Sequence, residues 1–217
     1  MSRGWASRCL KEAAATLSKG RAKVAKRLAC EAQKHLADLH MPKAKLDAVL
    51  EPIPLSDDPT ADVPAHGTDH LELMLTANPG EPARPLRKVA SGGEMSRTML
   101  ALKTVLAAHD PVRTLVVFDE IDANVGGRIG DVLGQKLAAL GASHQVLCVT
   151  HLPQVACFAH HHWTIRKATT GKRTATTITH LADRTDRVEE LAIMLRGETR
   201  SETTRKEAAE MLKAAGV

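Results

Sequence analysis

The stretch T-L-V-V-F-D-E-I-D at residues 114–122 decides the reading of this chain. A continuous apolar run of this kind suits a strand buried on both faces of a parallel sheet. The run ends in two adjacent carboxylates, Asp119 and Glu120, with Asp122 two residues on. Ligands gather at the C-terminal edge of such strands. There one carboxylate can hold the water shell of a Mg²⁺ ion, while its neighbour, pointing elsewhere, can orient or activate a water. Acidic residues at a strand end are equally ordinary in loops, so the pair takes its meaning from its neighbours.

Downstream, Val125, Ile129, Val132, Leu133, Leu137 and Leu140 recur on one helical face, with Gly141 placed to cap the helix. A second apolar strand at 145–149 leads into V-T-H, which puts His151 at another strand end. The order strand, helix, strand implies a right-handed crossover and a parallel sheet. A lone histidine in that place is as readily a structural hydrogen-bonder as a catalyst. Upstream lies A-S-G-G-E-M-S-R at residues 90–97. Ser91 and Glu94 have capping-box spacing, so a helix is expected over 93–108, its free N–H groups pointing outward. Gly92 and Gly93 leave room for a bulky anion at that end. An ordinary capped helix accounts for the segment just as well.

Residues 10–39, rich in Ala and Lys, read as a long helix with Leu10, Leu17 and Val24 seven apart and Leu28 and Leu39 continuing an apolar stripe. Gly20 is a weak point within it, and Pro42 lies beyond its end. Three heptad positions do not establish a coiled coil, and a core-packing amphipathic helix explains them too. Alternation at 45–50 and 69–76 predicts two half-buried strands, separated by a proline-bearing loop at 52–67 and followed by another at 78–85. Residues 163–167 and 174–181 flank T-T-G-K as a hairpin at a sheet edge, where Trp163 reads as a packing residue. Residues 188–195 and 204–215 read as closing helices.

Of the 217 residues 43% are hydrophobic but only 2% aromatic, with no Tyr, which disfavours base stacking as a function. The net charge of +5 is uneven: residues 1–50 carry eleven Lys/Arg against four Asp/Glu. That segment is a possible footprint for nucleic acid, or simply a solvated helix face. The four cysteines show no disulfide or C-x-x-C spacing, which fits a reducing cytoplasm. No apolar stretch approaches the roughly 18 residues of a membrane span, and no signal peptide is expected at the N-terminus. His160, His161 and His162 with Cys157 lack metal-ligand spacing.

Taken together, L-R-K-V-A-S-G-G-E-M-S-R-T-M-L-A-L-K, F-D-E-I-D-A-N-V-G-G and Q-V-L-C-V-T-H-L-P-Q-V-A resemble the signature loop, the Walker B and D-loop, and the switch-histidine region of ABC ATPase heads. Within those heads they are most similar to the SMC-like group and its bacterial DNA-repair branch. The resemblance covers residues 10–217. It implies an α/β fold: the C-terminal lobe of an ABC/SMC-type P-loop NTPase head, with a parallel sheet and flanking helices, preceded by the last helix of a coiled coil. Residues 1–42 would be that basic helix and 43–217 the lobe.

The resemblance also implies roles. Asp119 would be the Mg²⁺-associated Walker B carboxylate, Glu120 the residue that polarises the attacking water, and His151 a γ-phosphate contact. Ser91, Gly92, Gly93 and Glu94 would bind the ATP held by the opposing head, and Asp122 would link the two sites across the dimer. Met95 stands where Leu is usual in the family, and Asn124 where Gly is usual. No phosphate-binding loop of the form G-x-x-x-x-G-K-[ST] occurs; the one Gly-Lys pair, Gly171-Lys172, is followed by Arg173. The partners implied are therefore an N-terminal Walker A lobe, a second head in a homodimer, and DNA, with a cytoplasmic, nucleoid-associated setting. The function implied is ATP hydrolysis in repair of DNA double-strand breaks and recombination, once the missing lobe is supplied. The alternatives are a non-catalytic DNA- or partner-binding module and a head fragment of another SMC-like or ABC ATPase.

Overall fold

The computed structural model describes residues 3–53, 64–89, 91–107, 109, 112–123, 125–170, 173–197 and 201–217. The loop prolines Pro54 and Pro59, the signature's Ala90, the D-loop's Asn124 and the turn pair Gly171-Lys172 lie outside the described residues. The chain divides into two compact units, Met1–Val105 and Leu106–Val217.

In the first unit, helix α1 (Arg3–Asp38) packs on strand β1 (Lys45–Pro52), which pairs antiparallel with β2 (Asp69–Thr76). A short β3 (Arg84–Pro85) adds to β2, and a single 3₁₀ turn (Leu86–Lys88) leads toward α2 (Gly92–Leu106). The expected strand alternation is present: Leu46 faces Leu75, Ala48 faces Leu73, and Leu50 faces Leu71 across the ladder. Burial falls along that face from Leu46 and Leu75, which are buried, to Leu71, which is exposed.

The helical stripe differs from expectation. Leu17 and Val24 are exposed, and the buried face is Ala25, Ala29, Ala32 and Leu36, with Leu39 following. Alanines at these positions let a strand approach the helix axis closely, so the small residues, not the heptad leucines, make the packing face. Past the end of α1, His40 takes a left-handed φ of 64° and the Met41 N–H reaches back to the Leu36 carbonyl at 2.9 Å, a Schellman-type stop. Arg21 ties the helix to β2: its Nη1 lies 3.0 Å from Asp69 Oδ2 and its Nη2 donates to the His66 carbonyl at 2.6 Å. Ser18 Oγ donates to Asp69 Oδ1 at 2.6 Å. These donors hold the Asp69 carboxyl below its ordinary value, the Ser18 hydrogen bond contributing most.

In the second unit, β4 (Leu115–Phe118) and β5 (Gln145–Cys148) are hydrogen-bonded and parallel, with α3 (Gly127–Gly141) between them in sequence. A short α4 (Pro153–Ala156) follows, absent from the sequence reading although Pro153 at its first turn marks a helix start. Gly130 and Gly134 of α3 make room for it. A Cβ on Gly134 would fall 2.3 Å from a ring carbon of Phe158 and 2.9 Å from the Gln154 carbonyl oxygen. Gly141 ends the helix without capping it; the cap is Ala142 in right-handed geometry, so no left-handed residue is needed there.

The parallel pair is not buried on both faces. Phe118 on the inner face is buried, whereas Leu115, Val117, Leu147 and Val149 on the other are 60%, 56%, 51% and 50% exposed. The sequence composition suits a covered sheet, but among the described residues nothing covers this face. Strands β6 (His162–Thr170) and β7 (Arg173–Leu181) form a separate antiparallel hairpin. Trp163 is exposed on it, stacked at 4.5 Å on His180 and not packed into an edge. Arg166 is engaged by Glu190 of α5 (Arg184–Arg196), which packs with α6 (Glu202–Ala215) around Leu191, Ala192, Ala208 and Leu212.

Candidate functional site

Two groups of site residues fall in different units, and each is described with its own. In the first unit Ser91 stands at the head of α2. Its Oγ accepts the Glu94 N–H at 3.4 Å and its carbonyl accepts the Met95 N–H at 3.0 Å. The serine therefore uses up one of the helix's orphan donors and leaves the first turn, at Gly92 and Gly93, with its N–H groups directed outward. Gly92 is exposed and Gly93 buried, so the backbone is approachable from one side. The half-buried Glu94 lines a cavity of about 250 Å³ together with His40, Lys43 and Arg97. Farther along, Thr98 Oγ1 donates to the Glu94 carbonyl at 2.8 Å, and Leu100 and Ala101 are fully buried, which anchors the helix and fixes where its N-terminus points.

In the second unit β4 and β5 end side by side. The last rungs of the ladder are Phe118 opposite Cys148 and the Val149 N–H to the Phe118 carbonyl at 2.9 Å. Parallel pairing without an offset therefore delivers Asp119-Glu120 and Thr150-His151 to the same edge. Asp119 and Glu120 are both exposed. Asp119 Oδ1 accepts the Glu120 N–H at 2.9 Å, and the Glu120 carbonyl accepts the Ala123 N–H at 3.0 Å. Between these two bonds Glu120 is held at φ 55°, in the left-handed region. A glutamate gains nothing there and loses about 1–2 kcal/mol relative to an ordinary conformation. Strain of that kind collects where a side chain must be aimed.

Asp122 behaves differently from its two neighbours. It is 3% exposed, and a single oxygen, Oδ2, accepts the Thr150 hydroxyl at 2.6 Å and the His151 N–H at 2.9 Å, with His151 Nδ1 3.0 Å away. Thr150 Oγ1 in turn accepts the Leu152 N–H at 3.0 Å. The side chain that the resemblance makes a link across a dimer is here bonded to Thr150 and His151 of its own unit. The charge is felt next door: burial first, then Asp122 and Asp119, push the Cys148 thiol up to about 12.

The structure brings Asp119, Glu120, Asp122 and His151 onto neighbouring strand ends, while Ser91, Gly92, Gly93 and Glu94 head a helix of the other unit. Three features escaped sequence reasoning. The left-handed Glu120 has no signal, since glutamate shows no preference for that region. The α3–α4 close approach had one, Gly130 and Gly134 on successive turns. The Asp122–Thr150–His151 cluster joins residues 28 and 29 apart, and its only hint was three hydrogen-bonding residues at adjoining strand ends.

Paired parallel strands ending in carboxylates and a histidine, a glycine-flanked helix start and a long preceding helix define the C-terminal lobe of an ABC/SMC-type ATPase head. The Smc head domain of Pyrococcus furiosus, crystallised with an extended coiled coil and bound to the C-terminal domain of ScpA, has a similar fold. Its TM-score is 0.50 at 19% identity, over 87% of this chain and 42% of that one. No protein-family model matches the chain. Among relatives, the DNA repair protein RecN of Streptomyces coelicolor is 42% identical over 210 residues, and that of Bacillus subtilis 36% identical over 210; each match takes in 93% of this chain. The chain belongs to the RecN family. It spans 36% of the length of these two relatives.

Proposed function

We propose that this chain supplies the C-terminal half of an ATP site that hydrolyses ATP between two dimerised heads, in the service of DNA double-strand-break repair and recombination. In this reading residues 1–42 are the end of a coiled coil and 43–217 the lobe. The observation that carries it is the shared edge of β4 and β5, where Asp119, Glu120 and His151 converge. Acyl transfer uses a serine, cysteine or threonine nucleophile beside a base, which none of these three side chains is. Two exposed carboxylates and a histidine at a parallel-sheet edge are instead the parts that phosphoryl transfer uses.

The residues present fit Mg²⁺. Asp119 offers a hard, exposed carboxylate, and among the described residues no group of three or more His, Cys, Asp or Glu could form a metal cage. Mg²⁺ is commonly held in this manner, by one or two carboxylates, waters and phosphate oxygens. When bound it would neutralise charge on the transferring phosphate. Glu120, aimed by its left-handed backbone, positions and polarises the attacking water. His151 meets the γ-phosphate oxygens. Ser91, Gly92, Gly93 and Glu94 present the start of α2 to the γ-phosphate held by the opposing head, where the helix dipole favours an anion.

The test is lobe complementation. With an N-terminal lobe carrying a phosphate-binding loop, the mixture should hydrolyse ATP and lose roughly 100-fold or more in kcat with Glu120→Gln. Hydrolysis by the chain alone, sensitive to that substitution, would overturn the claim that the site is shared. No hydrolysis by the mixture would count against the reading as a whole.

DNA contact is a second, compatible role, favoured by the exposed Lys19, Lys23, Lys26 and Arg27 along α1. Arg21 does not belong to that set, because Asp69 and the His66 carbonyl hold it. Binding should weaken steeply with salt, and more so in the wild type than after Lys23 and Lys26 are neutralised. Binding that ignores salt would argue against it.

A further inference from the structure

We infer that Asp122 is the positioning residue for His151, and that it fixes the ring in the tautomer carrying its proton on Nδ1. The inference rests on the reading of His151 as a nucleotide contact and gives Asp122 a role within its own unit, beside the link across the dimer that the resemblance implies for it.

A carboxylate accepts hydrogen bonds and cannot donate them. With Nδ1 3.0 Å from Asp122 Oδ2, an unprotonated Nδ1 would set its lone pair against the carboxylate, so the neutral ring is favoured with its single proton on Nδ1. Nε2 then faces outward, on a side chain that is 73% exposed. In the neutral ring Nε2 accepts a hydrogen bond from water; in the protonated ring it donates to an anion, and Nδ1–H stays beside the Asp122 carboxylate in both states. Neither form requires the ring to flip as its proton count changes.

The surroundings suit Asp122 to this task. Oδ2 also takes the Thr150 hydroxyl and the His151 N–H, which fixes the backbone that carries the ring as well as the ring itself. With its proton committed to Asp122, the Thr150 oxygen is left to accept from Leu152 N–H, which locks the chain just before Pro153 and α4. A carboxylate buried to 3% exposure is costly unless hydrogen-bonded, and here the donors come from the His151 segment. Setting an imidazole's tautomer and orientation through a buried carboxylate is an established route by which a histidine is made ready for chemistry.

Long-range ¹⁵N–¹H correlation spectra of the 217-residue chain report the tautomer of each histidine directly, without nucleotide. In the wild type the neutral His151 ring should be predominantly Nδ1–H. Asp122→Ala should shift it toward Nε2–H, the form that imidazole prefers in water. Asp122→Asn, which can place a carbonyl oxygen where Oδ2 lies, should preserve Nδ1–H. Thr150→Val, which leaves the carboxylate in place, should also preserve it, and serves if Asp122→Ala does not fold. A folded Asp122→Ala chain with an unchanged His151 tautomer would overturn the inference, as would loss of Nδ1–H in both Asp122→Asn and Thr150→Val.

A second arm uses the complemented ATPase. Asp122→Ala should lower kcat by at least roughly tenfold with KM little changed, a loss that becomes far larger where the imidazole is itself the general base. Combined with His151→Gln the two should be non-additive. Additive losses would assign Asp122 a separate role and count against the inference. If the complemented mixture is inactive while the spectra behave as expected, the ATPase reading fails and the positioning role stands.

Discussion

Replacing Glu120 by glycine should make the chain more stable than replacing it by alanine, the reverse of the usual order. At an ordinary position glycine is worse than alanine by about 0.5–1 kcal/mol, because the unfolded chain has more freedom to lose. At φ 55° a residue with a Cβ gives up about 1–2 kcal/mol that glycine does not. Subtracting the first effect from the second leaves glycine ahead by up to about 1.5 kcal/mol, centred near 0.75 kcal/mol. The comparison is clean because the Glu120 side chain is exposed, so neither substitution opens a cavity. Both variants keep the backbone N–H that donates to Asp119 Oδ1 and the carbonyl that accepts from the Ala123 N–H. Urea unfolding followed by circular dichroism reads the difference as a shift in midpoint at constant slope. For a chain of this size the matching change in melting temperature is roughly 1–4 °C. Both variants should be equally inactive in the complemented ATPase assay, which separates the conformation from the carboxylate. A glycine variant that is less stable than the alanine variant by the ordinary margin would refute the left-handed assignment and, with it, the argument that strain aims Glu120.

Glycines in helices should divide by what surrounds them. Gly134→Ala should destabilise by about 1–3 kcal/mol through overpacking against Phe158 and the Gln154 carbonyl, whereas Gly20→Ala, with nothing within 4 Å, should stabilise α1 by up to about 1 kcal/mol in the same unfolding assay. Acid should loosen α1 from β2. The folded Asp69 carboxyl lies below its ordinary value of 3.8, so its contribution is fully present above that value and is lost as pH falls through the lower folded one; in Asp69→Asn this acid limb of the stability profile should shrink. The uncovered face of β4 and β5 should drive concentration-dependent self-association, seen by sedimentation, that Val117→Lys and Leu147→Lys reduce; a chain that stays monomeric throughout would contradict it.

What the sequence discloses here depends on the range of the interaction. Period-two alternation located β1 and β2 to within two residues because each alternating side chain reports its own face. The continuous run before Asp119 identified a strand of a parallel sheet but not the burial of its two faces, since that depends on what lies against it. The heptad-spaced Leu17 and Val24 misled for a related reason. They mark an apolar surface, but the side chains small enough for β1 to approach are the alanines on the adjoining face. At the site, the residue types and their order placed Asp119, Glu120 and His151 on one sheet edge. The direction of Asp122 could not be read in that way, because it follows from where the next strand brings Thr150.

The parts of the proposed site differ in what they need. The cap at Ser91, the left-handed turn at Glu120 and the Asp122 hold on His151 each draw on neighbours within four residues or on the adjoining strand end, so the chain makes them by itself. The exposed face of Leu115, Val117, Leu147 and Val149 is complete only with a covering layer. Burying the remaining half of four such side chains is worth roughly 3–6 kcal/mol before the costs of association. The strain held at Glu120 is about 1–2 kcal/mol. The strain sits in the lobe whether or not this face is covered, so in the proposed reading the geometry at Glu120 need not relax for an N-terminal lobe to join. In the proposed reading the chemistry is preorganised locally, while assembly would be driven from a surface beside it. It follows that Val117→Lys should weaken lobe binding while leaving the His151 tautomer as it is, and Asp122→Ala should do the opposite.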